Sequence, residues 1–162
     1  MSFTIRPATT ADAHEIAQVH VSAWREAYAH LFPQAFLAGL DVDVRARRWE
    51  QILADGQTRV TVAETAEGEV IGWASSGPGR DDDAPVDREL EGIYVLSAHQ
   101  GSGVSGELLL ESVGKGPAYL WVAEDNPRAR SFYLRHGFTL DGGRKVEAVG
   151  GIDLVEVRMT RR

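Results

Sequence analysis

Apolar and polar positions along the chain follow two periods, one typical of strands and one typical of helices. Residues 3–6 alternate and end at Pro7, whereas apolar residues between Ala13 and Ala27 recur at intervals of three and four. Strands are predicted at 3–6, 59–64, 69–76, 89–96, 118–122, 138–145 and 152–159. Helices are predicted at 10–30, 42–54, 103–113 and 126–137, with a short helical turn within 31–40.

The order of these elements predicts a mixed α/β fold, an α+β sheet of about seven strands. Short turns near Gly68 and at Gly150-Gly151 indicate antiparallel hairpins toward both ends of the sheet. The helix between strands 89–96 and 118–122 indicates one parallel βαβ unit in the middle. A length of 162 residues without a repeat or linker predicts a single domain over 1–162.

The composition is that of a globular protein and excludes any chemistry that depends on cysteine. Hydrophobic residues make up 43% of the chain and charged residues 25%, which is typical of globular proteins. Cysteine is absent, which excludes a disulfide framework, a thiolate nucleophile and a cysteine-ligated zinc site. The five histidines are scattered, and His14 and His20 lie six residues apart rather than four, so no metal site is expected.

Charge and hydropathy limit the kinds of binding partner that the protein is expected to have. The net charge of −7 disfavours nucleic acid, which binds basic surfaces. The N-terminus lacks the basic and apolar regions of a secretory signal, and no apolar run approaches the roughly 20 residues of a membrane span. We therefore expect a cytoplasmic protein that binds neither nucleic acid nor membrane.

The negative charge is concentrated in residues 81–91. This run holds six acidic residues and one basic residue, a net charge of −5. Such a run is typical of a solvated loop, and the alternative is an acidic rim that attracts a cationic or amine substrate.

A glycine-rich loop joins strand 89–96 to helix 103–113. Glycines allow close approach of a ligand to the backbone, and the free N–H groups of a first helical turn bind anions, so the pattern favours a phosphate cradle. The alternative is an ordinary glycine-rich turn. The spacing Gly101-x-Gly103-x-x-Gly106 also fits the dinucleotide fingerprint. Two observations disfavour a dinucleotide site. Five residues, 96–100, separate the strand from the first glycine, and only 56 residues follow the last glycine.

Two motifs together resemble the GNAT superfamily of N-acetyltransferases. The first is strand 89–95 followed by Gln100-Gly-Ser-Gly103-Val-Ser105, similar to the family's Gln/Arg-x-x-Gly-x-Gly/Ala loop, with a serine where the family prefers glycine or alanine. The second is the stretch 126–138, similar to the family's N-x-x-A-x-x-F-Y-x-x-x-G-F. The resemblance implies a GNAT-type fold and acetyl-CoA as cosubstrate.

The resemblance also implies site residues. The backbone of strand 93–95 would bind the pantetheine arm, loop 101–106 the pyrophosphate, and Tyr133 would protonate the leaving thiolate. Asn126 and Tyr133 lie seven residues apart, two helical turns, and so share a face. The cofactor-binding set is Ile93, Tyr94, Val95, Gln100, Gly101, Ser102, Gly103, Val104, Ser105, Gly106, Asn126 and Tyr133.

Acyl transfer to an amine also needs a base, because an alkyl ammonium with a pKa near ~10 is protonated at neutral pH. Glu89 and Glu91 lie two apart on one strand and are expected to share a face, with Glu91 nearer the reacting centre. The N–H of Val95 or its neighbour would bind the oxyanion.

Six further side chains each have two possible roles. Arg128 and Arg130 could meet phosphate charge or be solvated on the helix surface, and four aromatic residues could wall an acceptor pocket or pack in the core. These four are Trp24, Tyr28, Trp49 and Trp73.

The predicted function is direct transfer of acetyl from acetyl-CoA to a primary amine in a ternary complex, with Tyr133 and Glu91 as catalytic residues. The acceptor is unspecified, and related folds often pair as homodimers. Two alternatives remain: a non-catalytic acyl-CoA sensor or interaction module, and a dinucleotide-binding oxidoreductase.

Overall fold

A seven-stranded sheet in the order β1-β2-β3-β4-β5-β7-β6 organises the fold in the computed structural model, which describes residues 2–162. The strands are β1 Phe3–Pro7, β2 Arg59–Thr65, β3 Val70–Pro78, β4 Arg88–Val95, β5 Ala118–Ala123, β6 Thr139–Val149 and β7 Ile152–Arg161. The helices are α1 Ala13–Ala27, α2 Gln34–Ala38, α3 Val42–Asp55, α4 Val104–Val113 and α5 Pro127–Arg135. The mixed α/β fold with about seven strands is confirmed.

Helix ends follow local sequence signals. Asp41 caps α3 by accepting hydrogen bonds from the N–H groups of Asp43 and Val44, and Gly56 ends the helix in the left-handed conformation, with φ of 71°. Asn126 caps α5 and Pro127 occupies its first turn. The helix predicted from residue 10 begins instead with a 3-10 turn at Thr10–Asp12, and its α-helical part starts at Ala13.

Helices cover both faces of the sheet. On one face α1 and α3 pack against β2 and β3 through residues such as Ile16, Trp49 and Val62. On the other face α4 packs Leu108 against β3 and β4, and α5 packs beside β5 through Tyr133. Among residues 2–162 no helix combines the length and the apolar character that crossing a membrane would require.

The middle of the sheet opens between β4 and β5. These strands form the one parallel pairing among the described residues, and it is short, joining Glu89 to Tyr119 and Leu90 to Leu120. Past these residues the two strands are no longer paired, while β5 continues to pair with β7 as far as Ala123. The divergence leaves the C-terminal part of β4 with an unpaired edge that faces a cleft.

Candidate active site

A β-bulge shapes the cleft where the two strands separate. In the register of β3 with β4, Ser76 faces Leu90 and Ser75 faces Gly92, so Glu91 has no partner on β3. A bulge of this kind bends a strand and increases its local twist. Arg80 contacts both carboxylates, which is consistent with the expectation that Glu89 and Glu91 share a face.

The unpaired edge of β4 presents backbone hydrogen-bonding groups to the cleft. The N–H of Leu96 donates to the Ile71 carbonyl on the β3 side, at 3.0 Å. Since successive N–H groups along a strand point to opposite edges, the N–H of Val95 points into the cleft. The carbonyl of Val95 accepts a hydrogen bond from Gln100 Nε2 at 3.2 Å, which ties the glycine loop to the strand.

A cavity of about 470 Å³, the larger cavity hereafter, lies in this cleft between β4, α4 and α5. It brings together ten of the twelve predicted cofactor-binding residues. These are Ile93, Tyr94, Val95, Gln100, Gly101, Gly103, Ser105, Gly106, Asn126 and Tyr133. Ser102 and Val104 do not line it: Ser102 is exposed and its hydroxyl donates to the His99 carbonyl, while Val104 is 1% exposed in the core.

The start of α4 has the backbone of an anion site. Gly101 and Gly103 have φ of 81° and 93°, a left-handed conformation that a side chain disfavours. Gly103 is the N-cap and no side chain caps the helix there, so the N–H groups of the first turn keep their hydrogen-bonding capacity for a ligand. The helix dipole adds partial positive charge at the same place.

Helix α5 forms the opposite wall of the larger cavity. Asn126 accepts a hydrogen bond from the Ala129 N–H at 3.2 Å, and both residues line the cavity. Arg128 lines it as expected, but Arg130 does not, because its guanidinium donates to the Glu124 carbonyl at 3.0 Å. Phe132 packs partly against the core and partly lines the cavity.

Two further basic residues, Arg135 and His136, line the larger cavity without having been predicted. The imidazole of His136 lies beside Gly106: a Cβ built on that glycine would be 3.6 Å from the ring. A 3.6-residue period extended from Arg128 indicates Arg135 on the same face of α5, and this signal was available in the sequence.

A second, smaller cavity of about 110 Å³ adjoins the first. The two share Ile93, Tyr94, Asn126, Ala129 and Tyr133. The smaller cavity adds Tyr28, Trp121, Glu91 and Glu156 to its wall. Glu91 thus lies next to the larger cavity rather than in it.

Tyr133 lines both cavities and is deeply buried, with 8% of its surface exposed. Within residues 2–162 its hydroxyl has no hydrogen-bond partner. Burial, with a smaller contribution from Tyr94, raises the pKa of Tyr133 above its ordinary value of 10.0, so the hydroxyl is protonated at neutral pH.

The two β4 carboxylates differ in their partners. Glu89 is 1% exposed and accepts hydrogen bonds from Arg80 Nη2 at 2.7 Å and from the Tyr119 hydroxyl at 3.1 Å. Burial alone would raise the pKa of Glu89, but the hydrogen bonds and charge of Arg80 outweigh burial and lower it. The nearest cation to Glu91 is Arg80 Nη1 at 3.7 Å, and burial raises the pKa of Glu91. Glu91 is therefore the better proton acceptor of the two.

Sequence reasoning missed Glu156. It lies on β7 opposite Ala123 of β5, and burial raises the pKa of its carboxyl group. No motif contains Glu156, and only the pairing of β5 with β7 brings it to the cavity. A single sequence does not reveal that pairing, because the two strands are separated by α5 and β6.

The aromatic residues proposed to wall an acceptor pocket divide between two roles. Tyr28 lines the smaller cavity. Trp49 and Trp73 are buried in the core, and Trp24 packs against Tyr28 and Phe32. Trp121 lines the smaller cavity instead, and its indole N–H donates to Asp81 at 2.9 Å.

The acidic run 81–91 is largely paired with arginines. Arg158, which is 8% exposed, contacts Asp81 at 3.1 Å and Asp83 at 3.0 Å, while Glu89 is held by Arg80. Asp82, Asp83 and Asp87 are exposed, as in a solvated loop, whereas Asp81 and Glu89 are held by arginines. Its ion pairs fasten it to the sheet beside Trp121.

Comparison with known proteins agrees with this geometry. The profile described as the Acetyltransferase (GNAT) family matches residues 16–138. An uncharacterized N-acetyltransferase of Bacillus subtilis is 34% identical over 130 residues, 76% of this chain and 73% of the relative. A probable N-acetyltransferase of Mycobacterium tuberculosis is 31% identical over 147 residues, 85% of this chain and 80% of the relative.

A solved acetyltransferase structure has the same fold. The structure of a Salmonella typhimurium acetyltransferase, solved with its cofactor acetyl-CoA, superposes with a TM-score of 0.69 at 24% identity, covering 100% of this chain and 94% of the other. This chain belongs to the GNAT acetyltransferase family. It is an acetyl-CoA-dependent acyltransferase, as that family is.

Proposed function

We propose that this protein transfers acetyl from acetyl-CoA directly to a primary amine, with both substrates bound at once in the two adjoining cavities. The observation that carries the proposal is the position of the Tyr133 hydroxyl. The residue is 8% exposed and lines both cavities, and its hydroxyl has no hydrogen-bond partner among the described residues.

The larger cavity has the chemistry that acetyl-CoA requires. The uncapped first turn of α4, behind Gly101 and Gly103, offers N–H groups to the pyrophosphate. Arg128 and Arg135 add positive charge along the opposite wall. The unpaired edge at 93–95 offers backbone groups to the amide-bearing pantetheine arm, as a strand would to a neighbouring strand. The acetyl-CoA complex of the Salmonella protein supports the same ligand in this fold.

The smaller cavity has the chemistry of an amine acceptor. The Glu91 carboxylate, its pKa raised by burial, takes a proton from the ammonium, directly or through water. The neutral nitrogen attacks the thioester carbonyl and a C–N bond forms. As the C–S bond breaks, the nitrogen releases its second proton to solvent. The Val95 N–H donates to the developing oxyanion. Tyr133 donates its proton to the departing thiolate and regains one from solvent, and acetyl-CoA supplies the activated acetyl group.

Two measurements on the same protein test this proposal. Thermal shift with acetyl-CoA, CoA, NAD and ATP should give stabilisation by the first two alone. Free thiol released from acetyl-CoA should then appear in proportion to added primary amine, with one N-acetyl product formed per thiol. Stabilisation by acetyl-CoA without amine-dependent thiol release would identify a binding module, and stabilisation by NAD would favour the oxidoreductase alternative.

A further inference from the structure

The smaller cavity is lined by two carboxylates, one more than a single ammonium would pair with. Glu91 enters it from β4 and Glu156 from β7, on the two sides of the cleft. Aromatic side chains, among them Tyr28, Trp121 and Tyr133, also line it. A cavity of two carboxylates between aromatic surfaces suits cationic groups joined by an apolar chain.

Neither carboxylate is satisfied by the protein. Glu91 lies 3.7 Å from its nearest cation, Arg80 Nη1. Glu156 lies 3.9 Å from Lys145 Nζ, and that ammonium is closer to Glu147, at 3.4 Å. A charge-assisted hydrogen bond is about 2.7–2.9 Å long, so both carboxylates keep free hydrogen-bonding capacity. The Tyr133 side chain is a separate sign that the same cavity is built for a ligand, because it is 8% exposed, lines the cavity, and its hydroxyl has no hydrogen-bond partner among the described residues.

From this arrangement we infer that the acceptor is a primary amine with a second cationic group, a diamine or polyamine, and that Glu156 binds the second cation. The inference rests on the proposed function, in which Glu91 faces the amine that is acetylated. An acceptor with one ammonium and an apolar tail would press that tail against the Glu156 carboxylate. Removing water from a carboxylate without supplying a cation is unfavourable.

The charged groups around Glu156 are consistent with this role. Besides Lys145 and Glu147, the charges of Arg80 and Glu89 reach it. Burial is the largest influence on its pKa and raises it, which reflects a carboxylate that lacks a close cation. A bound ammonium would supply that cation.

A series of paired acceptors tests the inference. We would measure kcat and KM for n-butylamine and for α,ω-diaminoalkanes of three to six carbons, with wild type, Glu156→Gln and Glu147→Gln. Glu147 is the matched control, because it shares Lys145 with Glu156 but does not line the cavity. For wild type, kcat/KM should favour the best diamine over butylamine by about tenfold or more. Glu156→Gln should reduce that ratio to near one, chiefly by raising KM for the diamine.

The outcomes separate this inference from the proposed function. If none of the amines in the series supports thiol release, both the proposed function and this inference are contradicted. Equal kcat/KM for butylamine and every diamine, or a Glu156→Gln variant that keeps the wild-type ratio, would overturn the inference alone. A loss of the ratio in Glu147→Gln as well would also overturn it, since the effect would then follow from Lys145 rather than from a carboxylate in the cavity.

Discussion

The two adjoining cavities are built from different parts of the protein. The larger cavity is lined by backbone at an unpaired strand edge, by glycines, and by cationic side chains of α5. The smaller cavity is lined by aromatic rings and two carboxylates drawn from strands far apart in sequence. One therefore suits an anion with an extended arm, and the other suits a cation.

This difference in lining bears on which property of the site a substitution can change, coenzyme binding or acceptor choice. Backbone groups tolerate side-chain change, so a site made of them is compatible with many sequences. The carboxylates act through side chains, and a single substitution on β7 would change the charge of the smaller cavity. Coenzyme binding and acceptor choice should therefore respond to separate mutations, and Tyr133, common to both walls, should be the exception.

Tyr133→Phe should have the largest effect. It removes the proposed proton donor while keeping the ring, so kcat should fall by about 100-fold, within the range for general acid catalysis. Acetyl-CoA affinity, measured by calorimetry, should change less than about threefold. Tyr119→Phe is the matched control: its hydroxyl contacts Glu89 and the Asp81 N–H, outside both cavities, and kcat should stay near wild type. A Tyr133→Phe variant with wild-type kcat would remove Tyr133 from the mechanism.

Glu91→Gln should have the next largest effect, a loss of about 10- to 100-fold in kcat/KM at pH 7. The loss should shrink as pH rises toward the pKa of the amine, because the acceptor then arrives already deprotonated. In the wild type the acidic limb of the kcat/KM profile should lie above pH 4.5, since burial raises the pKa of Glu91. A loss that stays constant from pH 7 to 10 would contradict the assignment of Glu91 as base.

Glu89→Gln provides the contrast on the same strand, because its effect should be on stability. Replacing the buried partner of Arg80 should cost about 1–3 kcal/mol in urea unfolding. The folded-state pKa of Glu89 lies below 4.5, so its contribution is present above pH 4.5 and is lost as pH falls through the folded-state pKa. The stability difference between wild type and Glu89→Gln should therefore narrow in acid. A difference that widens below pH 4.5 would contradict this sign.

Gly103→Ala should act on the larger cavity alone. A φ of 93° strains any side chain, at about 1 kcal/mol, and relief of that strain would rotate the first-turn N–H groups away from the anion. We expect a five- to tenfold rise in Kd for acetyl-CoA, with the preference between acceptors unchanged. Gly116→Ala, at a position with no positive φ and open space around it, should match wild type in both measurements. Weaker binding in both variants would point to general destabilisation.

The features that sequence reasoning predicted well are those encoded by neighbouring residues. The glycine loop, the Asn126-Pro127 helix start and the spacing from Asn126 to Tyr133 are each contained in a short stretch. The structure brings Gly101, Gly103, Asn126 and Tyr133 to one cavity. The mixed sheet with a parallel pairing in its middle followed from the alternation of elements along the chain.

The features that it missed depend on contacts between distant segments. Glu156 reaches the smaller cavity only because β7 inserts between β5 and β6. The bulge at Glu91 depends on its register with β3, which local alternation does not determine. The acidic run looked like a free surface because its arginine partner Arg158 follows it by more than 70 residues. Charge counted along a sequence does not reveal which charges are paired in the fold.

Arg128→Gln should have the smallest effect and should again be confined to the larger cavity. Arg128 is an exposed side chain on the cavity wall, and exposed ion pairs contribute about 0.2–1 kcal/mol, so Kd for acetyl-CoA should rise two- to fivefold. The difference from wild type should fade at 1 M salt, where charges are screened within about 3 Å. Arg130→Gln, two residues along the same helix but bonded to the Glu124 carbonyl, should leave Kd unchanged. If Arg128→Gln altered the diamine preference instead of the coenzyme Kd, the two cavities would not be the separate anion and cation sites that their linings indicate.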